Sequence, residues 1–460
     1  MLEQKRALVV GLGASGEAAA RFLAARGAVV AATDAKAESE LGEVAGRLRG
    51  LGVRLYLGAH DPAVFAEQDL VVVSPGVPWD LPALEHARCR GVEVIGEVEL
   101  AAAYLRGPVI GVTGANGKTT TTALIGHLLA HGGIPAQVGG NIGPPHPPVT
   151  AMVETSEAEQ WNVIELSSFQ LESIRTFRAE IAVALNVTPD HLDRHRTFER
   201  YAAAKGKLFS TQQESDFAVL NADDPTCAAY AAQTRGQIVW FSRTQPAAPG
   251  ASVREGWIVF TRDDEQVPLV EVRSIPIRGS HNLENTLAAA AAAFLAGVSP
   301  EAIRHAVPAF RAVEHRLEFV RSVRGVDYYN DSKATNVDAT RKALEAFEGN
   351  LWVILGGKDK DSDYTVLAGL LRQKARGVFL VGAAAGKIDA QLAGVAPLEQ
   401  TGTIERAVAL AAERAAPGDT VLLAPACASF DQFDNYEHRG RVFKQLVCAL
   451  APNQTRGGPP

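Results

Sequence analysis

Eleven short, continuous apolar runs punctuate the chain, among them "RALVVGLG", "DLVVVSPG", "PVIGVTG", "WNVIELSS", "LWVILGG" and "TVLLAPA". They restrict the fold more than any other feature. Each is too short for a buried helix, and each is unbroken rather than alternating, which suits parallel strands covered on both faces. Ala/Leu/Glu/Arg-rich stretches separate them, as helical crossovers would. The chain therefore reads as α/β. The rhythm changes at 236–280, where "GQIVWFSRT", "ASVREGWIVFTRDD" and "VPLVEVRSIPIRG" read as shorter, alternating, antiparallel strands.

Three strand–glycine-loop–helix starts, near residues 6, 108 and 350, divide the 460 residues into three α/β units with joints near 96 and 312. The expected domains are 1–96, 97–312 and 313–460, with the last residues, about 452–460, a disordered tail. Hydrophobic residues make up 47% and charged residues 21%, enough apolar mass for several cores. A net charge of −7 without lysine-rich runs argues against nucleic acid as a partner. Cys89, Cys227, Cys427 and Cys448 are scattered, which disfavours zinc and a disulfide framework. The N-terminus lacks a signal-like apolar segment, and no run is long enough to span a membrane, so a cytoplasmic location is expected.

The first loop, Gly11-Leu12-Gly13-Ala14-Ser15-Gly16, has dinucleotide-binding spacing, with Asp34 about twenty residues on to hold a ribose hydroxyl. Alone it fits a nicotinamide enzyme as well as any other phosphate-bearing ligand. The second loop, "GVTGANGKTTTT" at 111–122, is more specific. Its glycines turn backbone N–H groups toward phosphate oxygens, and the helix that follows adds donors and a positive dipole. Lys118 would reach the β/γ-phosphates and the Thr119 hydroxyl would take Mg²⁺. Val112 stands where the strict P-loop pattern has its first glycine, but Gly114, Asn116, Gly117, Lys118, Thr119 and Thr120 form an intact core. A nucleoside triphosphate site is the reading.

Further polar clusters fall just after strands, where open α/β sheets bind ligands. Glu165, in "ELSSFQLE", is placed to hold Mg²⁺, although a strand-end glutamate is also a common helix cap. "NVTPDHLDRH" brings Asp190, His191, Asp193 and His195; its His pair lacks the glutamate of a zinc HExxH site. Asn282 and Asn285 share the face of a helix start, and Asp331, Lys333 and Thr335 crowd the end of another strand. "LGGKDKDSD" and "APACASFDQFDNYEHRG" repeat the pattern.

Taken together these motifs resemble the Mur ligases of peptidoglycan synthesis, and within them the branch that adds D-glutamate. The resemblance runs from about residue 5 to 445 through "GLGASG", "GVTGANGKTTTT", "GGNIG", "ELSSFQLE", "AAAKGKLF", "HNLENTLAA", "EHRLE", "NDSKATN" and "PACASFDQF". It implies a Rossmann-like N-terminal domain for a uridine nucleotide, a P-loop-type central ATPase domain with a small antiparallel sheet, and a Rossmann-like C-terminal domain. It implies ATP-driven amide formation through an acyl phosphate, with ATP and two Mg²⁺ sites. It also implies small-molecule substrates and a monomer.

By position, the resemblance assigns Thr119, Glu165, His191 and Lys205 to metal, the last as a carbamylated lysine. From the residues alone, Lys205 is an ordinary helix-surface lysine. The resemblance gives catalysis to Lys118, Glu165, His191 and Lys205. ATP falls to Gly114, Asn116, Gly117, Lys118, Thr119, Thr120, Asn282, Asn285, Arg316 and Asp331. The UDP substrate falls to Ser15, Asp34, Lys36, Ser74, Gly76, Asn141, Gln170 and His191, and D-glutamate to Lys333, Thr335, Lys360, Ser429, Phe430 and Tyr436. One departure stands at the uridine end, where the family's usual Thr-Arg after the acid is Ala35-Lys36. The alternatives are a sister Mur ligase, a folylpolyglutamate-synthase-like enzyme, a nicotinamide oxidoreductase or a regulatory ATPase. None uses all of the motifs.

Overall fold

A computed structural model describes residues 2–263, 265–277, 279–311 and 314–450. The expected joint at 312 and the expected tail at 452–460 lie outside the described residues. By its internal contacts the chain forms two compact units: residues 1–274 with 284–308, and residues 275–283 with 309–460.

The first unit holds two sheets. One has five parallel strands in the order β3-β2-β1-β4-β5: β1 (Arg6–Val10), β2 (Val29–Asp34), β3 (Arg54–Leu57), β4 (Leu70–Val73) and β5 (Glu93–Gly96). The other has nine strands. β6 (Val109–Thr113), β7 (Ala136–Gly140), β8 (Trp161–Glu165), β9 (Ile181–Ala184), β10 (Phe217–Asn221) and β11 (Gln237–Ser242) are followed by β12 (Gly250–Arg254), β13 (Trp257–Arg262) and β14 (Glu265–Glu271). Their order is β14-β13-β12-β11-β10-β9-β6-β8-β7. The antiparallel stretch is real in β12–β14, but these strands extend the main sheet edge to edge. The expectation for "GQIVWFSRT" needs correcting. It is β11, parallel to both β10 and β12, and its apolar residues continue the buried parallel layer.

The joint expected near 96 falls between β5 and the helix Glu97–Ala102. Two buried glutamates fasten this helix to the region of the nine-stranded sheet. Glu97 accepts from the N–H and hydroxyl of Thr150 (2.7 and 2.9 Å). Glu99 accepts the N–H groups of Arg175, Thr176 and Phe177. Both regions contribute to one apolar core, from Val9 and Leu23 through Ile164 to Leu220.

The second unit is built on six strands, β15 (Glu318–Val323), β16 (Val326–Asn330), β17 (Leu351–Gly356), β18 (Ala375–Val381), β19 (Leu398–Gly402) and β20 (Thr420–Leu423), ordered β15-β16-β20-β17-β18-β19. Only β15 is antiparallel. β3, β7, β15 and β19 escaped the sequence reading. They are short, and polar or half-exposed residues interrupt their apolar pattern.

Candidate active site

In the first sheet, the loop from Gly11 to Gly16 carries the chain from β1 into the helix Ala14–Ala25, whose N-terminus no side chain caps. A Cβ on Gly16 would lie 1.8 Å from the Gly11 carbonyl oxygen, so only glycine lets the helix start this close to the strand. The Ser74 hydroxyl, at the end of β4, donates to that same carbonyl (2.6 Å). Asp34 ends β2 and accepts the N–H of Leu12 (2.7 Å) and of Lys36 (2.9 Å). Its carboxylate thus fixes the loop's shape. Ser15, Lys36 and Gly76 stand on the same carboxyl-end edge, with Gly76 and Lys36 exposed.

The second loop, between β6 and the helix Lys118–His131, is tighter and more charged. Gly117 is left-handed (φ +88°), and a Cβ there would meet Asn285 Oδ1 at 2.1 Å. The helix again has no side-chain cap, and a helix N-terminus of this kind favours an anion. Thr119–Thr122 are all buried, and the hydroxyls of Thr120, Thr121 and Thr122 have no hydrogen-bond partner among the described residues. Buried hydroxyls left this way beside a glycine cradle fit a bound polyanion.

The Lys118 ammonium donates to the carbonyls of Gly114 (2.8 Å) and Ala115 (2.9 Å). Lys205 donates to the same Gly114 carbonyl (2.8 Å). Two lysine Nζ atoms thus share one acceptor. Lys205 is no surface lysine: it is 1% exposed, on the inner face of the helix Phe198–Ser210, with its Nζ 4.6 Å from the Tyr201 ring centroid. The sequence reading of an exposed side chain is corrected here. The helix turns this face inward because Tyr201, Ala204, Leu208 and Phe209 are packed there. Burial, then the neighbouring Lys118 charge, holds the Lys205 amine well below the usual lysine range.

Around this loop stand the other residues of the first unit. Glu165 ends β8, buried, and accepts from Asn141 Nδ2 (3.1 Å). Gln170 closes a capping box with Ser167. His191 is left-handed (φ +52°), strained for a non-glycine residue, with its ring 4.8 Å from Phe169. His195 instead faces inward, its Nε2 2.9 Å from Ser168 Oγ, and serves packing. Asn285 lies at Gly117, as noted.

The sequence reading missed Asn186. Its side chain accepts from the Asn116 N–H (2.9 Å) and donates to the Asn116 carbonyl (3.0 Å), clamping the loop. The signal was available, since an asparagine directly after an apolar strand and beside a glycine loop is out of place in a core.

In the second unit, Asp331 follows β16 and accepts the Leu317 N–H (3.1 Å). Burial pushes its carboxyl up to about 6, against the pull of Arg316. The Lys333 ammonium lies 5.2 Å from the Tyr436 ring centroid. Thr335 follows two residues on. Lys360 is exposed in the loop after β17, Ser429 is buried in the loop after β20, and Phe430 beside it is 67% exposed. Asn282 is buried in the first turn of the helix Ser280–Leu295.

Arg439, also missed, is 1% exposed and ties these loops together. It donates to Ser332 Oγ (3.0 Å), to the Ser332 carbonyl (2.8 Å) and to the Cys427 carbonyl (3.1 Å). It lies within the "APACASFDQFDNYEHRG" stretch but was not singled out there. The site residues therefore gather in two sets, one in each unit.

Residues 5–96 match the MurD-like N-terminal domain of Mur ligases, 112–293 the Mur ligase middle domain, and 315–427 the Mur ligase glutamate ligase domain. A UDP-N-acetylmuramoylalanine–D-glutamate ligase of Solibacter usitatus (strain Ellin6076) is 60% identical over 452 residues, 98% of this chain and 99% of that one. A protein of the same name from Koribacter versatilis (strain Ellin345) is 52% identical, with the same coverage. Among solved structures, the MurF ligase of Thermotoga maritima in complex with ADP aligns with a TM-score of 0.61 at 16% identity, covering 98% of this chain and 99% of that one. MurC of the same organism, a UDP-N-acetylmuramate–alanine ligase, aligns at 0.60 and 19% identity, covering 96% and 99%. At such identities these two structures speak for the fold alone.

Proposed function

The chain belongs to the Mur ligase family, and from that premise we propose how its two sets of site residues carry out one reaction. The protein is an ATP-dependent ligase that joins D-glutamate to UDP-N-acetylmuramoyl-L-alanine, in the synthesis of peptidoglycan precursors. The fold has N-terminal, central and C-terminal domains; we place their joints near 96 and 312.

A carboxylate is a poor electrophile, so the alanyl carboxylate first attacks the γ-phosphorus of ATP and ADP leaves. The amine of D-glutamate then attacks the acyl carbon. The tetrahedral intermediate expels phosphate, which takes the bonding pair, and the nitrogen gives up a proton. Phosphoryl transfer needs positioning and charge neutralisation more than it needs a protein nucleophile.

In our reading the glycine cradle of 114–117 and the N-terminus of the following helix hold the triphosphate. Lys118 meets the charge that builds on the transferred phosphoryl oxygens, and Thr120 stands beside them. Thr119 and Glu165 would hold one Mg²⁺, and His191 with carbamylated Lys205 a second, the metal supplying charge neutralisation when bound. Asn282, Asn285, Arg316 and Asp331 bind the rest of ATP. Ser15, Asp34, Lys36, Ser74 and Gly76 hold the uridine end of the substrate, and Asn141, Gln170 and His191 its alanyl end. Lys333, Thr335, Lys360, Ser429, Phe430 and Tyr436 surround D-glutamate. A monomer in the cytoplasm completes the reading; among the described residues no helix is long and apolar enough to cross a membrane.

The observation that carries the site assignment is the pair of lysines over the Gly114 carbonyl, at an uncapped helix N-terminus. The downward shift of the Lys205 amine supports carbamylation, because only a free amine adds CO₂. The test is phosphate release from ATP with UDP-N-acetylmuramoyl-L-alanine, run in parallel with D-glutamate, L-glutamate, L-alanine and diaminopimelate. Release should require D-glutamate. Release that ignores the amino acid would refute the reading.

A further inference from the structure

Two loops of the second unit, after β17 and after β20, carry Lys360 and Ser429. Lys358 and Ala428 join them by an isolated antiparallel bridge, with N–H to carbonyl distances of 2.9 and 3.1 Å. A second link runs through side chains. The hydroxyl of Tyr364, a fully buried residue, lies 2.7 Å from Asp359 Oδ1 in the first loop and 2.9 Å from Cys427 Sγ in the second. The Lys387 ammonium donates to Asp359 Oδ2 (2.7 Å) and to Asp361 (3.3 Å).

The direction of each bond follows from which groups keep their protons. Burial works to raise Asp359, but bonds from Lys387, Tyr364 and the Ser362 N–H outweigh it and hold the carboxyl below its usual range. It is an acceptor. Burial pushes the Cys427 thiol up to about 11 and raises Tyr364 as well, so both stay protonated at neutral pH. The Tyr364 hydroxyl therefore donates to Asp359 and accepts from the Cys427 thiol. Every group in the chain is satisfied, in one orientation only. Packing alone would be served by a phenylalanine; the hydroxyl instead bridges two loops that no strand pairing joins beyond residues 358 and 428.

We infer that Tyr364, acting through Asp359 and Cys427, is a positioning residue that fixes the spacing of Lys360 and Ser429 and so sets the affinity for the amino-acid substrate. This rests on the assignment of those two residues to D-glutamate. The substrate is small and carries two carboxylates, so a loop displaced by a fraction of an ångström loses charge-assisted bonds.

The test is steady-state kinetics on the full chain. Tyr364→Phe keeps the ring and removes the bridge. KM for D-glutamate should rise roughly five- to tenfold, with kcat within about twofold, a loss of ground-state binding. KM for ATP and for the UDP substrate should not move. Asp359→Asn should shift the same KM in the same direction, and it carries the test if Tyr364→Phe loses its near-UV circular dichroism. Cys427→Ser keeps a donor and should leave KM for D-glutamate near the native value. An unchanged KM for D-glutamate in folded Tyr364→Phe and Asp359→Asn overturns the inference. So does an equal rise in all three KM values with a lowered Tm, which is the mark of a structural role. Lys360→Ala separates the premise: if it leaves KM for D-glutamate unchanged, the assignment of the amino-acid site fails and the inference falls with it.

Discussion

The two glycine loops of the first unit solve the same backbone problem and differ in what their side chains leave over. Each follows a parallel strand, each starts a helix without a side-chain cap, and each uses a glycine where a Cβ would strike a neighbour. At 11–16 the carboxylate of Asp34 is taken up by backbone N–H groups, that of Leu12 in the loop and that of Lys36 after β2. At 114–117 the amines of Lys118 and Lys205 converge on a single carbonyl, and three threonine hydroxyls beside them lack partners among the described residues. The first loop is a finished surface that fits a ligand by shape. The second gathers lysine amines and buried hydroxyls at one cradle, which is what a site for phosphoryl transfer needs. A glycine fingerprint specifies a cradle; the surrounding cations decide whether chemistry happens in it.

Substitutions can break this comparison. Lys118→Ala should lower kcat by about a thousandfold or more, in line with removal of a preorganised charge from a transition state. Tm should stay within a few degrees, since the Lys118 ammonium bonds the loop carbonyls of Gly114 and Ala115. Normal turnover would end the distinction between the loops.

Lys205→Met should also abolish turnover, yet raise Tm at pH 7 in CO₂-free buffer, where the wild-type side chain is an unmodified amine. The sign follows from linkage: a lysine whose folded pKa is depressed costs stability while it must be charged, and the cost fades as pH rises through that pKa. The Tm gain should therefore narrow toward high pH. A carbamate on Lys205 in the wild type, seen by ¹³C NMR with labelled bicarbonate, should vanish in this variant.

At the other loop, Asp34→Asn should raise KM for the UDP substrate about tenfold through loss of loop shape, with KM for ATP unchanged. Equal effects on both would show that the loops are not independent.

The smallest effect is expected where the two regions join. Burial pushes Glu97 up to about 7. A carboxyl with a raised folded pKa contributes stability that is full below its unfolded value and is lost as pH rises through 7. Wild-type Tm should fall by a few degrees between pH 6 and 8.5, and Glu97→Gln should flatten that slope.

How much was legible varied by region. β1, β6, β8 and β17 could be read from uninterrupted apolar runs, because strands covered on both faces admit little else. β3 and β19, at the edges of their sheets, carry mixed residues and left no such trace. Lys118 and Thr119 were legible because a phosphate loop needs those types at fixed offsets. The partners of Asn186 and Arg439 were not, since each serves a loop distant in sequence: Asn186 clamps Asn116, and Arg439 reaches back 107 residues to Ser332.

Lys205 marks the boundary between what the sequence determined and what only the tertiary structure decided. The order of strands and helices, the two glycine cradles and the presence of a lysine in the helix Phe198–Ser210 are local facts, fixed by periodicity and backbone sterics. Which way that lysine faces, and that Lys118 waits at the same carbonyl, depend on packing the helix against the nine-stranded sheet. Protonation is set by the dielectric and the charges around a group, and those exist only once the chain has folded.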